Sequence, residues 1–175
     1  MHLPFIKSVR DLGLRNQRVL IRADLNVPIK DGLVTSDARI VASLATIRLA
    51  LDAGASVVVM SHLGRPSEGE YANEYSLAPV AQRLSELLER NVPLLAQPED
   101  CAAIGGGEIG LLENVRFLVG EKSNSAELSQ RLSDQCDVFV MDAFGTAHRA
   151  HASTHGVAEL ADTACAGLLL DAELK

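Results

Sequence analysis

The sequence predicts an α/β protein: a three-layer α/β/α architecture around a mainly parallel, Rossmann-like sheet. Three observations carry this. Strand-like apolar runs alternate with amphipathic helical segments. Val57-Val58-Val59-Met60 is apolar at every position, as a strand covered on both faces should be. Four runs, at 18–24, 56–61, 109–113 and 138–142, empty into polar turns where basic groups gather. Open α/β sheets bind ligands at that end of their strands.

The elements follow in order. Val19-Leu20-Ile21 suits a buried strand, and Asp31-Gly32 suits a tight turn. Thr35, Ser36 or Asp37 can cap the next helix. Ile40, Val41, Leu44, Ile47 and Leu51 mark its apolar face, and Gly54 ends it. Ser76 caps a second helix with Leu77, Val80, Ala81, Leu84, Leu87 and Leu88 on one face. Pro79 falls in its first turn, where a missing N–H does little harm. Short strands are expected at 92–96 and 109–112, a helix at 125–134 and a strand at 137–141. Residues 161–175 read as a helix that stops without a cap.

At 175 residues the chain suffices for one domain with a real core. Its 47% hydrophobic and 22% charged content is that of an ordinary globular protein. A net charge of −7, from 23 acidic and 16 basic residues, argues against a nucleic-acid or anionic-membrane partner. The arginines in the turns therefore run against the global balance, which favours a site for a small anion. Cys101, Cys136 and Cys165 form no Cys-x-x-Cys pair, so buried thiols in a reducing cytoplasm are expected. No run reaches membrane-spanning length.

Asp24 and Asn26 alternate onto one side of an extended chain and can share a ligand. A carboxylate beside an anion makes sense if Asp24 accepts from a ligand hydroxyl or orients an arginine; a plain turn-forming pair is the alternative. In Ser61-His62-Leu63-Gly64-Arg65-Pro66, His62 and Arg65 offer donors and Gly64 allows close backbone approach. Arg116 follows Glu113 and precedes Glu121, so surface pairing with either is the competing reading. Residues 142–151 set Asp142, His148, Arg149 and His151 among small residues directly after a strand. His148, His151 and His155 have a spacing that could hold zinc, but their surroundings disfavour it, and no metal site is predicted. Arg39 opposes the helix dipole in the first turn of its helix, which suggests an anion there; a pair with Asp37 is the alternative.

Two apparent motifs are discounted. Gly105-Gly106-Gly107-Glu108-Ile109-Gly110 fits G-x-G-x-x-G but leads into a strand, where the fingerprint needs a strand and then a helix. No glycine-rich loop ending in Lys-Ser/Thr is present for a nucleotide.

Together, Asp24-Leu25-Asn26-Val27-Pro28, the 61–66 segment, Leu112-Glu113-Asn114-Val115-Arg116-Phe117 and the 142–151 segment resemble the N-terminal half of the phosphoglycerate kinase family. The motifs occur in the family's order and the resemblance covers essentially the whole chain. It implies phosphoryl transfer between ATP and 3-phosphoglycerate, giving 1,3-bisphosphoglycerate and ADP, in cytoplasmic glycolysis. By resemblance, Asp24 and Asn26 would contact the glycerate. Arg39, His62, Arg65, Arg116 and Arg149 would form a basic patch, lined by His148 and Gly64. Arg39 would lie nearest the transferring phosphoryl group and serve as the catalytic residue. Residues 1–160 would be the phosphoglycerate-binding domain and 161–175 the start of an interdomain connection. Mg-ATP or ADP would be bound by a C-terminal domain beyond residue 175, so these residues alone are expected to bind substrate without turnover. The intact enzyme is expected to be a monomer. The remaining readings are a stand-alone anion-binding module and, less favoured, a dinucleotide-binding domain.

Overall fold

The structure, a computed structural model, describes residues 6–175. Its strands and helices run β1 (Arg18–Ala23), β2 (Ile29–Lys30), β3 (Leu33–Val34), α1 (Ala38–Asp52), β4 (Ser56–Met60), α2 (Ala78–Leu88), β5 (Leu94–Leu95), β6 (Ile109–Leu112), α3 (Ala126–Ser133), β7 (Val138–Asp142), α4 (Val157–Leu160), β8 (Thr163–Ala166) and α5 (Leu168–Glu173). Six strands form one sheet in the order β5-β6-β4-β1-β7-β8, and every pair in it is parallel. Strands β2 and β3 form a separate antiparallel hairpin. Its turn residues Asp31 and Gly32 sit at φ 53° and 75°, the left-handed pair a two-residue hairpin requires.

Alternation along β1 divides the core. Val19, Ile21 and Ala23 pack with Ile40, Leu44 and Ile47 of α1 and Val80 and Leu84 of α2. Leu20 faces the other way, with Val58, Met60 and Phe139, against Leu128 and Leu132 of α3 and Val157 of α4. These are the outer layers of the three-layer architecture. Arg22 shares the parity of Leu20, so β1 carries a charge on a buried face.

Several local expectations need correction. The 161–175 stretch is not one helix but β8 followed by α5, because its small apolar residues pair with β7 from Val138↔Thr163 to Met141↔Ala166. Val41 is exposed rather than part of the buried face of α1. Asp37 occupies the N-cap of α1 without making a side-chain cap bond. Its carboxylate instead receives Arg83 Nε and Nη2 at 3.0 and 2.8 Å, tying α1 to α2. Ser76 does accept from the N–H of Ala78, but Glu113 shares the work, accepting from the Leu77 N–H at 2.7 Å. A carboxylate from the end of β6 thereby fixes the start of α2. The three cysteines are buried and free, and burial pushes each thiol up to about 12.

Candidate functional site

Because β6, β4, β1 and β7 are neighbours and parallel, the four polar turns open on one edge of the sheet. The start of α1 brings Arg39 to the same edge. There, Arg39 Nη1 donates to Asp24 Oδ1 at 3.2 Å and to the Asn26 carbonyl at 2.9 Å. Asp24 Oδ1 also accepts the Asn26 N–H at 3.2 Å. Asp24 thus orients an arginine, and the alternative pairing of Arg39 with Asp37 is not formed. Asn26 Oδ1 accepts the Gly64 N–H at 3.1 Å, joining the first turn to the second.

Gly64 has φ +61°, and a Cβ there would stand 2.6 Å from the Tyr75 ring. Its carbonyl accepts Arg116 Nη1 at 2.7 Å, joining the second turn to the third. The third turn is built by Asn114, which is only 1% exposed. Its Oδ1 accepts the Arg116 N–H, while its Nδ2 donates to the carbonyls of Leu63 and Tyr75. Arg116 is therefore no surface partner of Glu113 or Glu121. It is buried, and its Nε has no hydrogen-bond partner among the described residues.

Electrostatics shows which cations share this space. Desolvation, then Arg149, holds the Arg116 guanidinium below its ordinary value, and Arg65 adds to the effect. His62 is pushed down to about 3 by burial, then by the charges of Arg22, Arg116, Arg149 and His151. This corrects one expectation: His62 belongs to the cluster as a neutral ring, not as a cation. Arg65, His148 and Arg149 are exposed. His148, exposed on the same loop as Arg149, makes no hydrogen bond to the cluster among the described residues.

The sequence reading missed Arg22, Glu121, Ser153 and the position of His151. Arg22 is 1% exposed and pushed down to about 10, chiefly by burial, with Glu121 and Asp24 opposing. The available signal was its charge inside the apolar run Val19-Leu20-Ile21-Arg22-Ala23. Cavity size would not have located this site. Two cavities of about 530 Å³, one around Tyr71 and Phe117 and one along β8, contain none of these arginines. A smaller one of about 200 Å³ is lined by Asp24, Arg39, Asp142, Phe144 and Leu169, among others. The edge is marked by concentrated charge on a rigid hydrogen-bonded frame. It suits a small polyanion.

Comparisons with known proteins bear on this arrangement. The sequence model of the phosphoglycerate kinase family matches residues 9–175. Phosphoglycerate kinase from Coxiella burnetii is 51% identical, with a TM-score of 0.92 over 97% of this chain. Phosphoglycerate kinase from Pyrococcus horikoshii OT3 is 35% identical, with a TM-score of 0.84 over 97% of this chain. The chain spans 43% and 44% of those two proteins. With nearly every described residue inside the family match and the same fold recovered at these identities, the chain belongs to the phosphoglycerate kinase family.

Proposed function

We propose that this chain supplies the 3-phosphoglycerate site of a phosphoglycerate kinase, whose glycolytic reaction moves a phosphoryl group between ATP and the carboxylate of 3-phosphoglycerate. The observation that carries this is Arg116. A buried guanidinium with an unpartnered Nε, crowded by Arg149 and Arg65, is costly until an anion occupies the space between them. A ligand with a phosphate and a carboxylate relieves both the missing hydrogen bond and the mutual repulsion.

Each residue then has a role. Asp24 and Asn26 hold the glycerate end, and Asp24 also aims Arg39. His62, Gly64, Arg65, Arg116, His148 and Arg149 surround the anionic groups. Arg39, on the exposed rim, stabilises charge that develops on the transferring phosphoryl oxygens. Mg-ATP, which supplies that group, is assigned to a C-terminal domain of the same polypeptide. The cationic edge described here suits the acceptor. Binding without turnover is expected of residues 1–175 alone, and a cytoplasmic setting and a monomeric intact enzyme fit the same reading.

Calorimetric titration with 3-phosphoglycerate tests this, comparing wild type with Arg65→Ala. A binding heat that weakens in the variant and at raised salt is expected. No heat in either protein would remove the site. A coupled assay giving turnover by residues 1–175 alone would remove the division of labour.

A further inference from the structure

Behind the anion site lies a buried chain of polar groups. Arg22 Nε donates to Ser153 Oγ at 3.1 Å, and Nη1 donates to the Ala23 carbonyl at 2.7 Å. Its Nη2 lies 3.0 Å from His62 Nδ1. On the far side, Ser153 donates to Glu121 twice, from Oγ to Oε2 at 2.6 Å and from its N–H to Oε1 at 2.8 Å. Glu121 and Ser153 are both 0% exposed. Both are sealed from solvent, so neither is placed to touch a ligand.

A guanidinium can only donate. The 3.0 Å contact therefore requires His62 Nδ1 to be bare, which leaves the ring's proton on Nε2. We propose that Glu121 and Ser153 are positioning residues: by bracketing Arg22 they lock His62 as a neutral Nε2–H donor within the anion site. The inference rests on the proposed 3-phosphoglycerate site, but its core claim concerns a ring nitrogen and can be read without ligand.

The energetics explain why a bracket is needed. A fully buried arginine is costly unless its donors are satisfied and its charge is opposed. Ser153 and Ala23 satisfy donors, while Glu121 and Asp24 oppose the charge. The groups around the ring come from three elements: Arg22 from β1, Arg116 from the turn after β6, and Arg149 and His151 from the loop after β7. All disfavour an imidazolium. Without Arg22 held in place, the ring would lose both its fixed acceptor role and its nearest positive neighbour. A site so arranged keeps its cations on arginine and its His62 donor unchanged across physiological pH.

The test uses the full-length protein. Long-range proton–nitrogen NMR of the wild-type His62 ring between pH 5 and 8, without ligand, is expected to show the Nε2–H tautomer and no titration. An Nδ1–H tautomer, or a ring that titrates in that range, would overturn the proposal. In Ser153→Ala, and in Glu121→Gln as a second variant, Arg22 loses its bracket and an Nδ1–H population of the ring is expected to appear, while burial keeps the ring neutral. The Kd for 3-phosphoglycerate should then rise at least threefold in both variants, because the Nε2–H donor is no longer fixed. Ser153→Thr, which keeps the hydroxyl, should restore the wild-type ring. An unchanged His62 spectrum in the folded variants would show that Glu121 and Ser153 are structural only. If wild type binds no 3-phosphoglycerate, the functional reading fails while the tautomer measurement still decides this one.

Discussion

Arg39 Nη1 bridges the Asp24 carboxylate and the Asn26 carbonyl at 3.2 and 2.9 Å, although the Arg39 side chain is 55% exposed. A pair so open to solvent contributes at most about 1 kcal/mol. It also sits where the α1 dipole disfavours a cation. Its geometry is therefore better explained by aim than by stability: the frame holds a guanidinium at the rim, on the edge where the polar turns open.

That aim separates two arginines. In the full-length enzyme, the role proposed for Arg39 predicts that Arg39→Ala lowers kcat by about two or more powers of ten, because a guanidinium there would act on charge that develops in the transition state. Affinity for 3-phosphoglycerate should change only a few-fold. Arg65→Ala should instead act mainly on affinity, with a smaller loss of kcat. Steady-state kinetics with calorimetric Kd values decides this, and equal losses of affinity in both variants would remove the distinction.

Gly64 joins three turns through its N–H to Asn26, its carbonyl to Arg116 and its contact with Tyr75. Gly64→Ala must adopt φ +61° and displace the Tyr75 ring. A stability loss of about 1–3 kcal/mol in urea is expected. Weaker 3-phosphoglycerate binding should accompany it, since Arg116 loses its anchor. Wild-type stability and affinity together would show that the turn tolerates a side chain.

The layers and the edge where the polar turns gather were legible because they follow from chain-wide periodicity. The apolar run of β4 and the alternation of strands with helices leave few other solutions. What was not legible depends on partners far apart in sequence. Asp37 looked like a cap and became a partner of Arg83, 46 residues away. Ala164-Cys165-Ala166 fits a helix as well as a strand, and pairing with β7 decided the matter. His62 counted as basic until Arg22, 40 residues away, took its Nδ1. Asp24, Asn26, Gly64 and Arg116 all reached the expected edge because strand ends place them there regardless of such pairings, and Arg39 did so because α1 begins there.

Asp142, at the end of β7, accepts the N–H groups of Leu169 and Leu170 on Oδ1, while Oδ2 is buried without a partner among the described residues. Burial raises its carboxyl above the ordinary value, against the pull of Thr46 and those two N–H groups. A raised value means the folded state holds the proton more tightly than the unfolded state. Stability from this group is present at low pH and lost as pH rises through the folded value. Asp142→Asn cannot charge, so its stability relative to wild type should improve from pH 4 to 7. Urea denaturation at both pH values tests this, and a difference that is flat with pH would count against it.

His62 works in the opposite sense. Burial, then Arg22, Arg116, Arg149 and His151, hold it at about 3, against an ordinary 6.5. The unfolded chain therefore takes up a proton that the folded chain refuses. Stability is complete above pH 6.5 and declines as pH falls toward 3, with a slope of up to about 1.4 kcal/mol per pH unit. His151 is also lowered, mainly by burial, and adds a smaller decline of the same sign. Between pH 6.5 and 4.5 most carboxylates remain charged, so the slope in that window belongs mainly to histidines, with Asp142 opposing them. His62→Gln should flatten it substantially, and His151→Gln less. If urea denaturation gives wild type and His62→Gln the same slope there, His62 is not held neutral and the anion site gains a cation that the Arg22 contact forbids.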